Sequence, residues 1–279
     1  MSHHRMSVLA AGVSAAVLAM HSPAQATTTI TVGVAANFSG PLSSIITAFH
    51  NYYYPSYDFA VNTISKSTGA LESDIISGGT TGPYDLFLAA DKSHVDDLVT
   101  THSSLVYPYT TSPSSLYEFH YASGALELYS DNTNVSSGLP NPFNTDFVIA
   151  DPTNAPYGHA AQQLLAGSPW YYTSAIPGGY VHTASNIDNT YAAIQAHTYA
   201  YGFVAKSQIC SFDGTTYTFT GNSHHSYTTG YDPISQYGVE IAISSRTPDQ
   251  QDELDKLVDF ILNNSTAQSI IRSYCYTYP

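Results

Sequence analysis

The sequence is short of bases. Lys and Arg number 7 against 21 Asp and Glu, which gives a formal charge of −14, and charged residues make up only 10% of the 279. A typical soluble domain carries about 25% charged residues. The imbalance comes from missing Lys and Arg rather than from an excess of acids. Nucleic acid is excluded as a partner, because neutralising phosphates takes clustered bases, and a polybasic membrane patch is excluded for the same reason. Several catalytic signatures are also missing: there is no G-x-S-x-G elbow, no H-E-x-x-H, no G-x-x-x-x-G-K-[ST] and no C-x-x-C. Long apolar runs are scarce too, since Met6–Met20 is rich in Ala, Gly and Ser and falls short of the roughly 20 strongly apolar residues a membrane span requires. What is present is 43% hydrophobic and 13% aromatic residues, with 24 tyrosines, far from the composition of disordered chains. The length suits one large domain or two small ones.

Met1–Arg5 reads as a short n-region, Met6–Met20 as an h-region, and Ala24-Gln25-Ala26 as a small-x-small cleavage site. Residues 1–26 are therefore expected to be a signal peptide, cleaved after Ala26 to leave Thr27–Pro279 one charge more negative. No Cys stands at the cleavage site to take a lipid. Export makes Cys210 and Cys275 candidates for one disulfide. Two separate buried thiols fit the sequence equally well, because spacing says nothing about Cα separation.

The mature chain alternates strand and helix patterns. Thr27–Val34 alternates as a strand and leads into a helix from Pro41 to about Tyr52, followed by a strand at Tyr57–Asn62, a turn at Ser65–Gly69 and a helix to about Ser77. A strand at Asp85–Ala89 precedes a helix from about Ser93 to Val99. A second series comprises strands at Ala125–Tyr129, Phe147–Ala150 and Tyr201–Ala205, with helices at about Gly158–Leu165 and Asn186–His197. Ser211–Tyr231 reads as a hairpin or ordered loop, Val239–Ile243 as a buried strand, and Pro248–Tyr274 as one long amphipathic helix. Units of this kind imply an α/β fold with mostly parallel sheets flanked by helices. With no linker between the two series, two lobes joined by crossing strands near 122–129 and 237–243 are expected.

Four segments open predicted helices after a strand or loop: Ala36-Asn37-Phe38-Ser39, Ser67-Thr68-Gly69, Ala155-Pro156-Tyr157-Gly158 and Ser185-Asn186-Ile187. Such turns gather at the carboxyl ends of strands, where helix N-termini present unpaired N–H groups and a positive dipole end. That is an anion site without a cation. Each segment is equally an ordinary N-cap.

Taken together, Val34-Ala35-Ala36-Asn37-Phe38, Ser67-Thr68-Gly69, Asp85–Asp91, Ala155-Pro156-Tyr157-Gly158, Asn186-Ile187, Gly202-Phe203-Val204-Ala205, Tyr231-Asp232-Pro233-Ile234 and Ile270–Tyr274 resemble, in order and spacing, the periplasmic molybdate-binding proteins of ABC importers. The resemblance implies a two-lobed periplasmic binding protein fold of type II with two crossing strands as hinge. It implies lobes at 27–124 plus 240–279 and at 125–239. It also implies a monomeric, non-enzymatic receptor that needs no cofactor and hands molybdate or tungstate to a membrane permease. Ligand contacts carried over fall on Asn37 with the neighbouring backbone of Phe38 and Ser39, on Ser67, on Tyr157 and on the N–H of Ile187. Lys66 departs from the family pattern, and solvent is its expected direction rather than the ligand.

A receptor for a sulfate-like oxyanion or for a metal ion is the alternative. His224 and His225 with His159, His182 or His197 would be the metal ligands. A secreted hydrolase rests only on composition. The scarcity of bases also points to an acidic exterior, and it denies a dianion any long-range attraction, so recognition has to be local.

Overall fold

A computed structural model describes residues 28–54, 57, 59–108 and 117–278, so the secretory segment expected over 1–26 lies outside the described residues. The alternation that opens the chain decides the first strand, with Ile30, Val32 and Val34 fully buried on one face. β1 (Thr28–Ala35) passes through a 3-10 turn (Ala36–Phe38) into α1 (Ser39–Tyr53), β2 (Phe59–Lys66) into α2 (Thr68–Gly78), and β3 (Leu86–Leu88) into α3 (Ser93–Thr100). β4 (Val106–Tyr107) and β5 (Glu118–Gly124) follow, and only Ala125 separates β5 from β6 (Leu126–Ser130) in a second sheet. Next come β7 (Phe147–Ala150), α4 (Pro156–Ala166), β8 (Val181–Ala184), α5 (Ile187–Gln195), β9 (Gly202–Ala205) and the single turn α6 (Lys206–Ile209). A separate hairpin of β10 (Cys210–Phe212) and β11 (Tyr217–Phe219) precedes β12 (Ser223–Ser226). β13 (Ile234–Ile241) then returns to the first sheet, on which α7 (Pro248–Asn263) and α8 (Ser265–Ser273) pack.

The first sheet runs β2-β1-β3-β13-β4 with β5 also on β13, and the second runs β12-β6-β9-β7-β8. Each sheet has the expected parallel core, β2-β1-β3 and β8-β7-β9, completed by antiparallel strands that carry the chain across or back. Each sheet is covered on both faces. α1, α7 and α8 bury Leu42, Ile45, Leu257, Ile261 and Ile271 against one face of the first, while α2 and α3 bury Leu71, Ile75, Val95 and Leu98 on the other. In the second sheet α4 covers Phe147, Ile149 and Phe203, and α5 covers Val148 and Val204. Among the described residues no helix is long and apolar enough to cross a membrane.

Three boundaries differ from the sequence reading. β2 continues to Lys66 because it pairs with β1 along its whole length, Thr28 with Phe59 through Ala35 with Lys66; the two chains therefore leave the sheet side by side, at Ala36 and Ser67. The long C-terminal helix is two helices. Asn264 is extended (φ −85°, ψ 126°) and its side chain accepts from the Thr266 N–H, so it ends α7 and caps α8. The apolar stripe continues across the break and hides it from a periodicity reading. β13 begins at Ile234 rather than near Val239, ahead of the lobe boundary expected at residue 240, and Ile234 pairs with Gly124. Both crossings between the sheets thus lie side by side.

One buried acid in the first sheet sets a pH dependence. Glu240 on β13 is fully buried, and its Oε2 accepts from Gln251 Nε2 at 2.9 Å. Burial, with Asp255 nearby, pushes its carboxyl up to about 8. The unfolded chain releases this proton near the ordinary 4.5, so between those values the folded state binds more protons and stability falls as pH rises. Urea unfolding free energy is expected to decline from about pH 5 to 8, with Glu240→Gln flattening the decline. Equal slopes in the two proteins would count against the buried proton.

Candidate functional site

The carboxyl ends of β1 and β2 face the segments that open α4 and α5, and helix capping separates the candidates. A serine at an N-cap ordinarily gives its oxygen to a first-turn N–H. Ser67 occupies that position in α2, is buried and extended (φ −65°, ψ 152°), yet makes no side-chain cap. Neither the 3-10 turn that opens α1 nor α4, with Pro156 in its first turn, has a side-chain cap. Of these four starts only that of α5 is capped in the ordinary way, Asn186 Oδ1 accepting from Asn189 N at 2.8 Å. That cap leaves the N–H groups of Ile187 and Asp188, which have no partner inside their own helix by position.

These starts meet across the two sheets. Ala35, Ala36 and Ala90 from the first lobe share one apolar cluster with Ala155, Tyr157 and Ile187 from the second. Gly69 N donates to Asn154 O at 2.9 Å, tying the first turn of α2 to the loop before α4. Thr68 Oγ1 accepts from Ala90 N at 3.1 Å. Small residues at 35, 36, 69 and 90 allow this approach: a Cβ at Gly69 would stand 3.1 Å from Asn154 Oδ1.

Beside the contact lies a buried network of neutral groups. Gln236 on β13 accepts at Oε1 from Asn37 Nδ2 (2.9 Å) and Tyr121 Oη (3.0 Å), and its Nε2 donates to Tyr157 Oη (3.3 Å). Tyr121 Oη also donates to Ala89 O at 2.9 Å. The second proton of Asn37 Nδ2 goes to Tyr276 Oη at 2.8 Å. Burial raises the pKa of Tyr121, Tyr157 and Tyr276, so all three phenols keep their protons. In this arrangement both carboxamide protons of Asn37 are engaged, and what the residue still offers a ligand is its backbone N–H at the start of the 3-10 turn.

The sequence-predicted residues fall as follows. Asn37 and Tyr157 are joined through Gln236. Ile187 is linked to the same region by Gln208 Nε2, which donates to Ile187 O at 3.2 Å and to Asp188 Oδ1 at 2.8 Å; burial raises the Asp188 carboxyl. Ser67 sits beside them through its neighbours Thr68 and Gly69. The Phe38 ring belongs to the first core, edge-on to Tyr121 and Tyr276, and Ser39 Oγ donates to Ala36 O at 2.8 Å, so these two stand near the site with their side chains turned to the protein. Tyr121, Ser207, Gln236 and Tyr276 were missed. With 24 tyrosines a single one carries no signal, but Gln236 sits between Ile234 and Gly238 on the buried alternation of β13, and a polar residue in that register is a readable sign.

Among the described residues no base enters the candidate site. Lys66 pairs with Asp74 at 2.5 Å, half exposed. Lys92 pairs with Asp96 and Glu118, Arg246 with Asp85, and Lys256 with Asp252. Lys206 lies over Tyr217 and Phe219, and Arg272 over Tyr278. The histidine alternative fails on geometry. His224 meets Glu127, His225 meets Ser136 O and His197 meets Asp131, and among the described residues no three His, Cys, Asp or Glu are grouped to hold a metal ion. Cys210 and Cys275 are bonded, with Cα atoms 5.9 Å apart, so the reading as separate thiols is set aside. A concavity of 710 Å³ beside Tyr107, Ala242 and Pro248 lies past the C-terminal end of β13, opposite the carboxyl ends of the parallel strands, and shares none of these donors.

Residues 30–277 match the family described as bacterial extracellular solute-binding protein. The molybdate-binding protein ModA of Azotobacter vinelandii is 31% identical over 252 residues, covering 88% of this chain and 89% of that protein. The molybdate-binding protein ModA of Rhodobacter capsulatus is 29% identical over 273 residues, covering 96% of each. Among solved structures, the Azotobacter vinelandii periplasmic molybdate-binding protein superposes with a TM-score of 0.73 at 24% identity, over 90% of this chain and 99% of that one.

Proposed function

The chain belongs to the bacterial extracellular solute-binding proteins, and from that membership we propose that it captures molybdate between its two lobes and delivers it to the permease of an ABC importer. It is a receptor and not an enzyme. The observation that carries the oxyanion reading is the meeting of uncapped helix starts and neutral donors in a place where, among the described residues, no base stands. We assign the ligand to the N–H of Asn37, the hydroxyl of Ser67, the hydroxyl of Tyr157 and the N–H of Ile187, with lobes that exchange at Gly124–Ala125 and Pro233–Ile234. We further propose that the mature chain is a periplasmic monomer and that tungstate takes the same site.

The chemistry suits a fully deprotonated dianion, which has only acceptors and finds only donors. A protonated phosphate would turn an O–H towards donors, at about 1–3 kcal/mol for the unsatisfied group. Helix N-termini supply positive potential at contact range, which a chain this acidic lacks at a distance.

Calorimetry of the mature protein tests the reading. Molybdate and tungstate are expected to give saturable heat and sulfate little. Ser67→Ala combined with Tyr157→Phe removes two hydrogen bonds to a charged group, each about 1.5–3 kcal/mol, so Kd rises roughly 10²- to 10⁴-fold with the fold kept. Heat from Zn²⁺ or Ni²⁺ with none from molybdate would overturn the assignment.

A further inference from the structure

The last residues of the chain form a third connection between the lobes, and it ends on the candidate site. Thr277 exchanges backbone hydrogen bonds with Ser123 of β5, N to O at 3.0 Å and O from N at 2.9 Å, just before β5 crosses to the second sheet. Two residues earlier, Cys275 is bonded to Cys210, which follows α6 beside the second sheet. The covalent tie therefore has its first-lobe anchor alongside the crossing strands, where rotation of one lobe against the other moves it least. Cys275 itself is held in the left-handed region, φ +63°, a conformation that a residue with a side chain keeps only when its surroundings fix it.

Between these anchors stands Tyr276, buried and neutral. Its hydroxyl donates to Asn37 O at 2.8 Å and accepts from Asn37 Nδ2 at 2.8 Å and from Ser207 Oγ at 2.9 Å. One hydroxyl thus grips both the main chain and the side chain of Asn37, and joins that turn to α6 of the other lobe. Its bonding capacity is filled, one donor and two acceptor sites, which leaves nothing for a ligand.

We propose that Tyr276 is a positioning residue: clamped by Thr277–Ser123 on one side and by the Cys210–Cys275 bond on the other, it fixes the Asn37 turn so that the Asn37 N–H is aimed at the bound oxyanion. The ligand part of this inference rests on the oxyanion reading above; the clamp on Asn37 does not.

Tyr276→Phe keeps the ring against Phe38, whose centroid is 5.4 Å away, and removes only the hydroxyl. The experiment measures molybdate affinity by calorimetry and the hydrogen exchange of the Asn37 side-chain amide by NMR, in wild type and variant. Molybdate is expected to bind the variant at least about 10-fold more weakly, the scale of one hydrogen bond, and the Asn37 amide protons to exchange faster. The amide readout separates positioning from general destabilisation, since a structural defect elsewhere leaves it unchanged at matched stability. Unchanged affinity, or lost affinity with an unchanged Asn37 amide, overturns the proposal. If wild type ignores molybdate, the oxyanion reading fails, and the amide exchange alone decides whether Tyr276 holds Asn37. Should Tyr276→Phe not fold, Ser207→Ala, which removes a donor to the same hydroxyl at 2.9 Å and its longer approach to Asn37 O at 3.3 Å, carries both measurements with a smaller shift in the same direction.

Discussion

Gly158→Ala is expected to destabilise the protein by roughly 2–4 kcal/mol, the upper range of overpacking costs. A Cβ at this position would stand 2.3 Å from Ala150 O, 2.7 Å from Ala150 C and 2.9 Å from Asp151 C. All three are main-chain atoms at the end of β7, so no rotamer change can clear them. The contact exists because α4 opens directly above the strand that precedes it, which is also what delivers Tyr157 to the buried network around Gln236. To admit the methyl group the first turn of α4 has to lift, and Tyr157 moves with it. Molybdate affinity should therefore fall along with the urea midpoint. Gly167→Ala, where the nearest atom is 3.4 Å away, is the control and should unfold like wild type. Wild-type stability in Gly158→Ala would mean that α4 does not sit on β7 as described.

Gln236→Leu should cost about 2–6 kcal/mol through a different route. It leaves one proton of Asn37 Nδ2 without an acceptor and Tyr157 Oη without its donor, both deep in the protein, at about 1–3 kcal/mol for each unsatisfied group. Tyr121 suffers less, because its hydroxyl still donates to Ala89 O. Tyr121→Phe, which removes one shared proton and nothing else, should then cost distinctly less than Gln236→Leu in urea titrations. The reverse order would show that Gln236 is not the centre of the network. Such networks couple their members, so the two substitutions combined should fall short of the sum of their separate costs.

Much of the architecture was legible. The alternation in Thr28–Ala35, the strand-helix units after it and the four helix-opening turns each carry their own local pattern, and the structure has an element at every one. The break at Asn264 was not legible, because the apolar stripe of α7 continues in α8 and periodicity reports the buried face rather than the continuity of the backbone. The site was legible in part. Ser67, Tyr157 and Ile187 stand in turns with a recognisable sequence, whereas Gln236 and Tyr276 act through contacts with residues far away in the chain. Asn37 shows the difference most clearly: its place in the proposed site comes from the family resemblance of the Ala-Ala-Asn-Phe run, but which of its hydrogens remain for a ligand depends on Gln236 and Tyr276.

The sequence alone determined that an anion meets no long-range attraction here, since 7 bases stand among 279 residues, and the recognition proposed above is for that reason local and made by neutral groups. It also determined an α/β chain, because hydrophobic period is a local property. Tertiary structure decided which donors are available. It left the Ser67 side chain uncapped, engaged both carboxamide protons of Asn37, joined Cys210 to Cys275 and set Tyr276 behind the candidate site. Hydrogen-bond saturation is a property of atoms brought together by the fold, and no spacing along the chain encodes it.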